Sequence, residues 1–296
     1  MTETQSFATE TLREIFSQPQ TWQQAINQAA AGTALPEAGT PVLFIGCGTS
    51  YYVGEAYARL RNQLGLGRTR AVVPSEIPYI EDDETVIVLS RSGTTTDVID
   101  AARNLKATHQ VIGLVGTPES PLIDACTEVV MLDYADEVSI VQTRFASTAF
   151  TLLRASLVPD LGHLVTEAEQ ALTRTLPTPA PEHVVFLGTG FSLGLAHEAA
   201  LKCLESSGRW AEAYAVMEYQ HGPISAAGPG TIVWPLVPLD AAIADAIRQT
   251  GATVVDPEWD PQAELVAIHR MAVAMAKAAG RNPDVPPFLS RSVQIG

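Results

Sequence analysis

Residues 41–50 and 183–192 spell one pattern twice: Pro41-Val-Leu-Phe-Ile-Gly-Cys-Gly-Thr-Ser50 aligns with His183-Val-Val-Phe-Leu-Gly-Thr-Gly-Phe-Ser192. Each copy is a short apolar run, stopped by a Gly-x-Gly turn and followed by an Ala-rich segment. An apolar run bounded by turn signals marks a strand buried on both faces. Strand, glycine turn and helix in that order open an α/β unit. A chain that opens such a unit twice is constrained to two α/β lobes of like construction. With 296 residues, 46% of them apolar, it can bury two cores, since a single domain takes roughly 100–150 residues.

The rest of the chain continues the pattern. Residues 42–45, 71–73, 86–89, 111–115 and 129–132 read as short buried strands, with helix or loop between them. Val53, Ala56, Tyr57, Leu60 and Leu64 keep helical spacing after the first turn, and helix resumes over 144–158. Strands alternating with helices predict a parallel, doubly wound sheet. A second lobe opens near 183, continues with strands at 232–234 and 252–255, and closes on a helix over about 260–279 with apolar residues at helical spacing. The expected fold is α/β, with two doubly wound parallel-sheet lobes. It is divided into an N-terminal helical segment (1–34, helix over 8–30), a first lobe (35–176), a second lobe (177–280) and an extended tail (281–296). Pro177, Pro179 and Pro181 mark the boundary between the lobes, and Pro283, Pro286 and Pro287 keep the tail from continuing a helix.

Charge narrows the function. The formal net charge is −15, which repels a polyanion such as DNA but leaves room for a small anion held by local donors. Cys47, Cys126 and Cys203 have neither metal-ligand nor disulfide-framework spacing. No signal peptide and no apolar run of membrane-spanning length is read in the chain. The expectation is a cytoplasmic protein with no membrane or nucleic-acid partner, no metal and no organic cofactor.

The residues with chemistry form four groups. Ser90-Arg91-Ser92-Gly93-Thr94-Thr95-Thr96 offers five hydroxyls, a glycine and an arginine ahead of a helix. A helix N-terminus has unpartnered N–H groups and a positive dipole end, so it favours an anion there. Helix capping would use one or two of these hydroxyls and leave the others unexplained. The turn Cys47-Gly48-Thr49-Ser50 is a second glycine-rich strand-to-helix junction; Tyr51 breaks the dinucleotide pattern. Glu198, Lys202 and Glu205 share one helix face, where a solvated ion-pair face competes with a functional one. His221 lies in a turn segment and could act in acid–base chemistry. His109, His163, His183, His197 and His269 show no ligand spacing and are read as structural.

Taken together, the two glycine turns, the 90–95 loop, Glu198-Ala-Ala-Leu-Lys202-Cys-Leu-Glu205 and Gln220-His221-Gly222-Pro223 resemble the double SIS (sugar isomerase) family. They are most similar to the isomerase half of glucosamine-6-phosphate synthase and to SIS-type sugar-phosphate deaminases and deglycases. The resemblance implies flavodoxin-like repeats and a sugar phosphate bound between the lobes, by Ser50, Ser90, Arg91, Ser92 and Thr95. Cys47, Gly48 and Thr49 would touch the sugar, with Gln142 and Glu198 counted among the substrate contacts. Glu205 would move a proton between C1 and C2, with Lys202 beside it. His221 would help open the ring, reaching in from the neighbouring subunit of a homodimer. Three positions depart from the family: Arg91 stands for a glutamine, Gln142 for a serine, and Arg291 for the tail lysine. An arginine keeps its charge and cannot serve as a base. No glutamine-hydrolysing domain is read ahead of the lobes. The implied activity is that of a phosphosugar isomerase or deaminase acting on a 6-phosphorylated amino sugar or ketose amine. Fructosamine-6-phosphate deglycation, aldose–ketose isomerisation and a non-catalytic sugar-phosphate regulator are the alternatives.

Overall fold

The computed structural model describes residues 7–294. In chain order the elements are α1 (Thr9–Phe16), α2 (Gln18–Ala30), β1 (Val42–Ile45), α3 (Thr49–Gln63), β2 (Thr69–Val72), β3 (Thr85–Ser90), α4 (Thr96–Leu105), β4 (Val111–Val115), α5 (Pro121–Ala125), β5 (Glu128–Met131), α6 (Arg144–Ala155), α7 (Gly162–Ala171), β6 (His183–Gly188), α8 (Phe191–Ser207), β7 (Trp210–Ala215), β8 (Thr231–Pro235), α9 (Ala241–Gln249), β9 (Thr253–Val254) and α10 (Pro261–Ala278).

The strands form two parallel sheets, ordered β2-β1-β3-β4-β5 and β7-β6-β8-β9. Numbered from its own first strand, each begins 2-1-3-4, as flavodoxin-like sheets do. The first sheet's core sets Leu43, Ile45, Val86, Val88, Val111 and Val115 against Val98, Ala102 and Leu122. The second sets Val185, Leu187 and Val233 against Tyr219, Ile243 and Ile247. Both glycine turns take one backbone shape. Gly48 has φ 52°, ψ −122° and Gly190 φ 56°, ψ −133°, a conformation side chains with a Cβ do not hold. The preceding glycines are excluded from substitution by space. A Cβ on Gly46 would sit 2.6 Å from the Ser50 backbone, and one on Gly188 would sit 2.4 Å from the Ser192 carbonyl.

The chain divides into two compact units that do not follow chain order. One contains the first sheet: Gln20–Asp136, Arg144–Val165 and residues 290–294. The other contains the second sheet: residues 7–19, Glu137–Thr143 and Thr166–Leu289. Within the second unit, α1 lacks a cap of its own, since Ala8 offers no side-chain acceptor. Asp284 caps it instead, accepting from the N–H groups of Glu10 and Thr11 at 3.2 and 2.8 Å, and Asn282 accepts from Ala8 N–H at 3.0 Å.

The single helix expected over 8–30 is two helices meeting at Ser17. Pro19 explains the break: it has no N–H, and its ring clashes with the carbonyl four residues back in a continuous helix. In the first turn of α2 neither property matters. The elements α5, α7 and β7 carry no long apolar run, and neither they nor α9 follow from the sequence reading. β7 alternates alanine with Trp210, Glu212 and Tyr214 and is an edge strand, half-buried along most of its length.

Candidate functional site

In the first unit, β1 and β3 are hydrogen-bonded neighbours, so both hydroxyl-bearing turns leave the same edge of the sheet. Ser90, Arg91 and Ser92 are buried at the end of β3. Ser90 Oγ accepts from Gly93 N–H at 3.0 Å and Ser92 Oγ from Thr94 N–H at 3.2 Å. Each hydroxyl thus uses its oxygen to curl the loop and still has a proton to donate. Gly93 is at φ +61°, and a Cβ there would meet Ser120 Oγ at 2.1 Å. Thr95 stands at the N-cap of α4 without a side-chain cap bond, so capping does not account for the hydroxyls.

The first turn lies alongside. Thr49 and Ser50 are buried, whereas Cys47 is exposed. Partial burial and then the nearby Asp97 charge push the Cys47 thiol above its ordinary value, which keeps it a thiol rather than a thiolate. The tail crosses the 90–95 loop. Thr94 Oγ1 donates to Ser292 Oγ at 2.9 Å, and Thr96 N–H donates to the Val293 carbonyl at 3.2 Å. Arg291 donates to Asp136 at 2.6 Å and to Thr117 Oγ1 at 3.3 Å.

In the second unit the Glu198–Lys202–Glu205 face is not a solvated one. Glu198 and Lys202 are 2% and 1% exposed. Lys202 donates to Glu205 in a short contact and stands 3.9 Å from Glu198 Oε1. The Glu205 side chain keeps 21% of its surface exposed. A carboxylate is therefore clamped from behind by a buried ammonium while its front remains open. Lysine and carboxylate are three residues apart because the α-helix places i and i+3 on one face.

Gln142 belongs to the segment 137–143 of the same unit. Glu14 and Glu137 shape that segment. Glu14 accepts from Val138 N–H at 2.5 Å and from Ser139, and Glu137 accepts from Thr143 N–H at 2.7 Å and its hydroxyl at 3.0 Å. The Gln142 side-chain oxygen is buried without a hydrogen bond. His221 is exposed and closes a short turn through its N–H to the Glu218 carbonyl at 2.9 Å. His269, read as structural from the sequence, stands 3.7 Å from Glu198. No spacing rule could have paired them, because they come from helices far apart in the chain. Among the described residues, no group of three or more His, Cys, Asp and Glu side chains could hold a metal ion. No helix there is long and apolar enough to cross a membrane.

A sheet of order 2-1-3-4-5 with a hydroxyl-rich loop at a helix N-terminus is a setting that favours an anion. Residues 37–158 match the SIS domain family. The match takes in one stretch, where the resemblance implied two. Its relatives by sequence include the glutamine–fructose-6-phosphate aminotransferases (isomerizing) of Gluconobacter oxydans and Aeropyrum pernix. These are 28% and 27% identical over 93% and 96% of this chain and over 56% and 57% of their own length. The chain thus spans about half the length of the curated relatives it matches. Among solved structures, a Thermotoga maritima glucosamine-6-phosphate deaminase superposes with a TM-score of 0.83 at 25% identity, over 96% of this chain and 99% of that one. An Escherichia coli tagatose-6-phosphate ketose/aldose isomerase, 17% identical, shares the fold with a TM-score of 0.71 over 95% and 97% of the two chains.

Proposed function

We propose that the chain is a phosphosugar isomerase or deaminase that acts on a 6-phosphorylated amino sugar or ketose amine. One observation carries this reading: Lys202, 1% exposed, holds a carboxylate whose own surface stays accessible. Holding a lysine out of water against a carboxylate costs desolvation, and a base that must face substrate is a reason to keep such a pair. The two neighbours named above as a deaminase and a ketose/aldose isomerase support the same class of chemistry.

In this reading the 90–95 loop, with Ser50, holds the phosphate and supplies positioning. Cys47, Gly48, Thr49 and Gln142 serve the sugar end, and Glu198, 2% exposed, lies behind Lys202. His221, supplied by a second copy of the chain in a homodimer, helps open the ring. Glu205 removes the C2 proton of the open-chain amino aldehyde. The electron pair passes to the carbonyl oxygen and gives an enolamine. The same carboxyl returns the proton to C1, which leaves an imine at C2. Water adds there and ammonia departs, so glucosamine 6-phosphate yields fructose 6-phosphate. One carboxylate serves both carbons because its two oxygens can take and return a proton in turn. With oxygen in place of nitrogen the same shift is aldose–ketose isomerisation, and with the amine on C1 it begins deglycation. Arg291, bonded to Asp136, acts as a fixed charge near the phosphate loop rather than as a base.

The test is to incubate the protein with glucosamine 6-phosphate, fructosamine 6-phosphate and hexose 6-phosphates, following ammonia and the ketose product. Replacing Glu205 by Gln is expected to lower kcat by about 10²–10⁴-fold on whichever substrate is turned over. Full turnover by the variant would remove Glu205 from the chemistry. Binding of a phosphosugar with no turnover by the wild type would make the protein a sensor instead.

A further inference from the structure

The second unit holds one more buried ionisable side chain in line with Lys202. His269, on α10, is 1% exposed, and its Nε2 stands 3.7 Å from Glu198 Oε2. Neither ring nitrogen has a hydrogen-bond partner, and neither does either Glu198 oxygen. Glu205, Lys202, Glu198 and His269 therefore form a row of four ionisable groups, of which only Glu205 reaches solvent appreciably.

Charge decides what such a row can be. Two carboxylates and one ammonium leave one negative charge in excess, and buried charge without a partner is strongly disfavoured. An imidazolium at position 269 brings the sum to zero. A proton on Glu198 would do the same, but imidazole is the stronger base of the two. The Cys203 thiol is pushed well above its ordinary value by burial and then by the Glu198 charge, and it stays neutral. Arg270 directs its guanidinium to the carbonyls of Ala171 and Arg174. Glu14, on the α1 helix packed against α10, is bonded to Val138 and Ser139.

We propose that His269 is a positioning residue: as the imidazolium it balances Glu198 and leaves Lys202 committed to Glu205. Without that charge, Lys202 stands between two carboxylates and is shared by them. The partner of Glu205 is then set from a second helix. The consequence for turnover rests on the proposed function, whereas the charge pairing does not.

The pairing is read by ¹⁵N NMR of the imidazole near neutral pH. The wild type is expected to carry protons on both His269 nitrogens, and Glu198→Gln to carry one. A single N–H in the wild type, or an unchanged pattern in Glu198→Gln, would overturn the proposal. On a turned-over phosphosugar, His269→Gln is expected to lower kcat about tenfold with KM within about twofold. The neutral double variant Glu198→Gln/His269→Gln is expected to regain most of kcat, which a merely structural role would not produce. If His269→Gln fails to fold, the double variant still decides, since recovery requires a folded, uncharged pair. Wild-type kcat in His269→Gln would also overturn the proposal. If the wild type turns over nothing, the functional reading fails and the NMR result stands by itself.

Discussion

The helices α3 and α8 leave their strands through the same glycine turn, at nearly the same φ and ψ, and bury the same faces. Aligning Gly46 with Gly188 sets Ala56 against Glu198, Leu60 against Lys202 and Gln63 against Glu205. Ala56 and Leu60 are 0% and 7% exposed, and Glu198 and Lys202 are 2% and 1% exposed. The backbone does not ask for charge at these positions, since its twin is filled with hydrocarbon. The loops after β3 and β8 differ in the opposite sense. Ser90–Thr95 gathers hydroxyls at the start of α4, whereas Leu236–Asp240 puts an exposed carboxylate at the start of α9. An anion is favoured at the first and repelled at the second. One α/β plan carries a hydroxyl-rich helix N-terminus in one unit and a row of buried ionisable side chains in the other.

The largest expected effect comes from making α8 resemble α3. Lys202→Leu takes the one ammonium out of the row, leaving two carboxylates and His269, and is expected to lower stability by about 3–5 kcal/mol. The double variant Glu198→Ala/Lys202→Leu, which copies the α3 pair, is expected to be the more stable of the two. Urea unfolding separates them. A double variant less stable than Lys202→Leu would show that the charges support the fold, and the comparison would break.

A smaller effect tests the loops. Ser90→Ala and Ser92→Ala each remove a donor and a loop-forming acceptor. Each is expected to weaken inorganic phosphate binding by roughly five- to tenfold, from about 1 kcal/mol per hydrogen bond. Asp240→Asn in the other loop is expected to confer no binding. Calorimetric titration with phosphate reads both, and equal binding after Ser90→Ala and Ser92→Ala would remove the loop from the anion site.

The smallest effect is a pH slope in the second unit. Burial first, and then the Glu137 charge, raise the Glu14 carboxyl above its ordinary value. The folded state therefore holds that proton more tightly than the unfolded chain does. The stability it contributes is present below the ordinary carboxylate range and is lost as pH rises through the raised folded value. Glu14→Gln is expected to flatten this slope. Unfolding free energies measured across the acid range check it, and parallel curves for the two proteins would refute it.

Much of the plan was legible because strands buried on both faces must be continuously apolar, and tight turns must carry glycine. The strands β1, β3, β4 and β8 follow from that rule. The edge strand β7 does not, because half-buried alternation with alanine leaves no run to read. The split of α1 from α2 was written in Pro19, yet its partners were not. α1 is capped by Asn282 and Asp284, more than 270 positions away. His269 was invisible as a partner of Glu198 for the same reason.

The sequence by itself determined two openings of an α/β unit, the hydroxyl-rich loop and the Glu198–Lys202–Glu205 helix face, because periods and turns are local properties of a chain. Tertiary structure decided that Lys202 lies out of water while Glu205 does not, and that Arg291 is held by Asp136. It also decided that His269 faces Glu198. Burial and pairing depend on which distant segments pack together, and no local pattern encodes that.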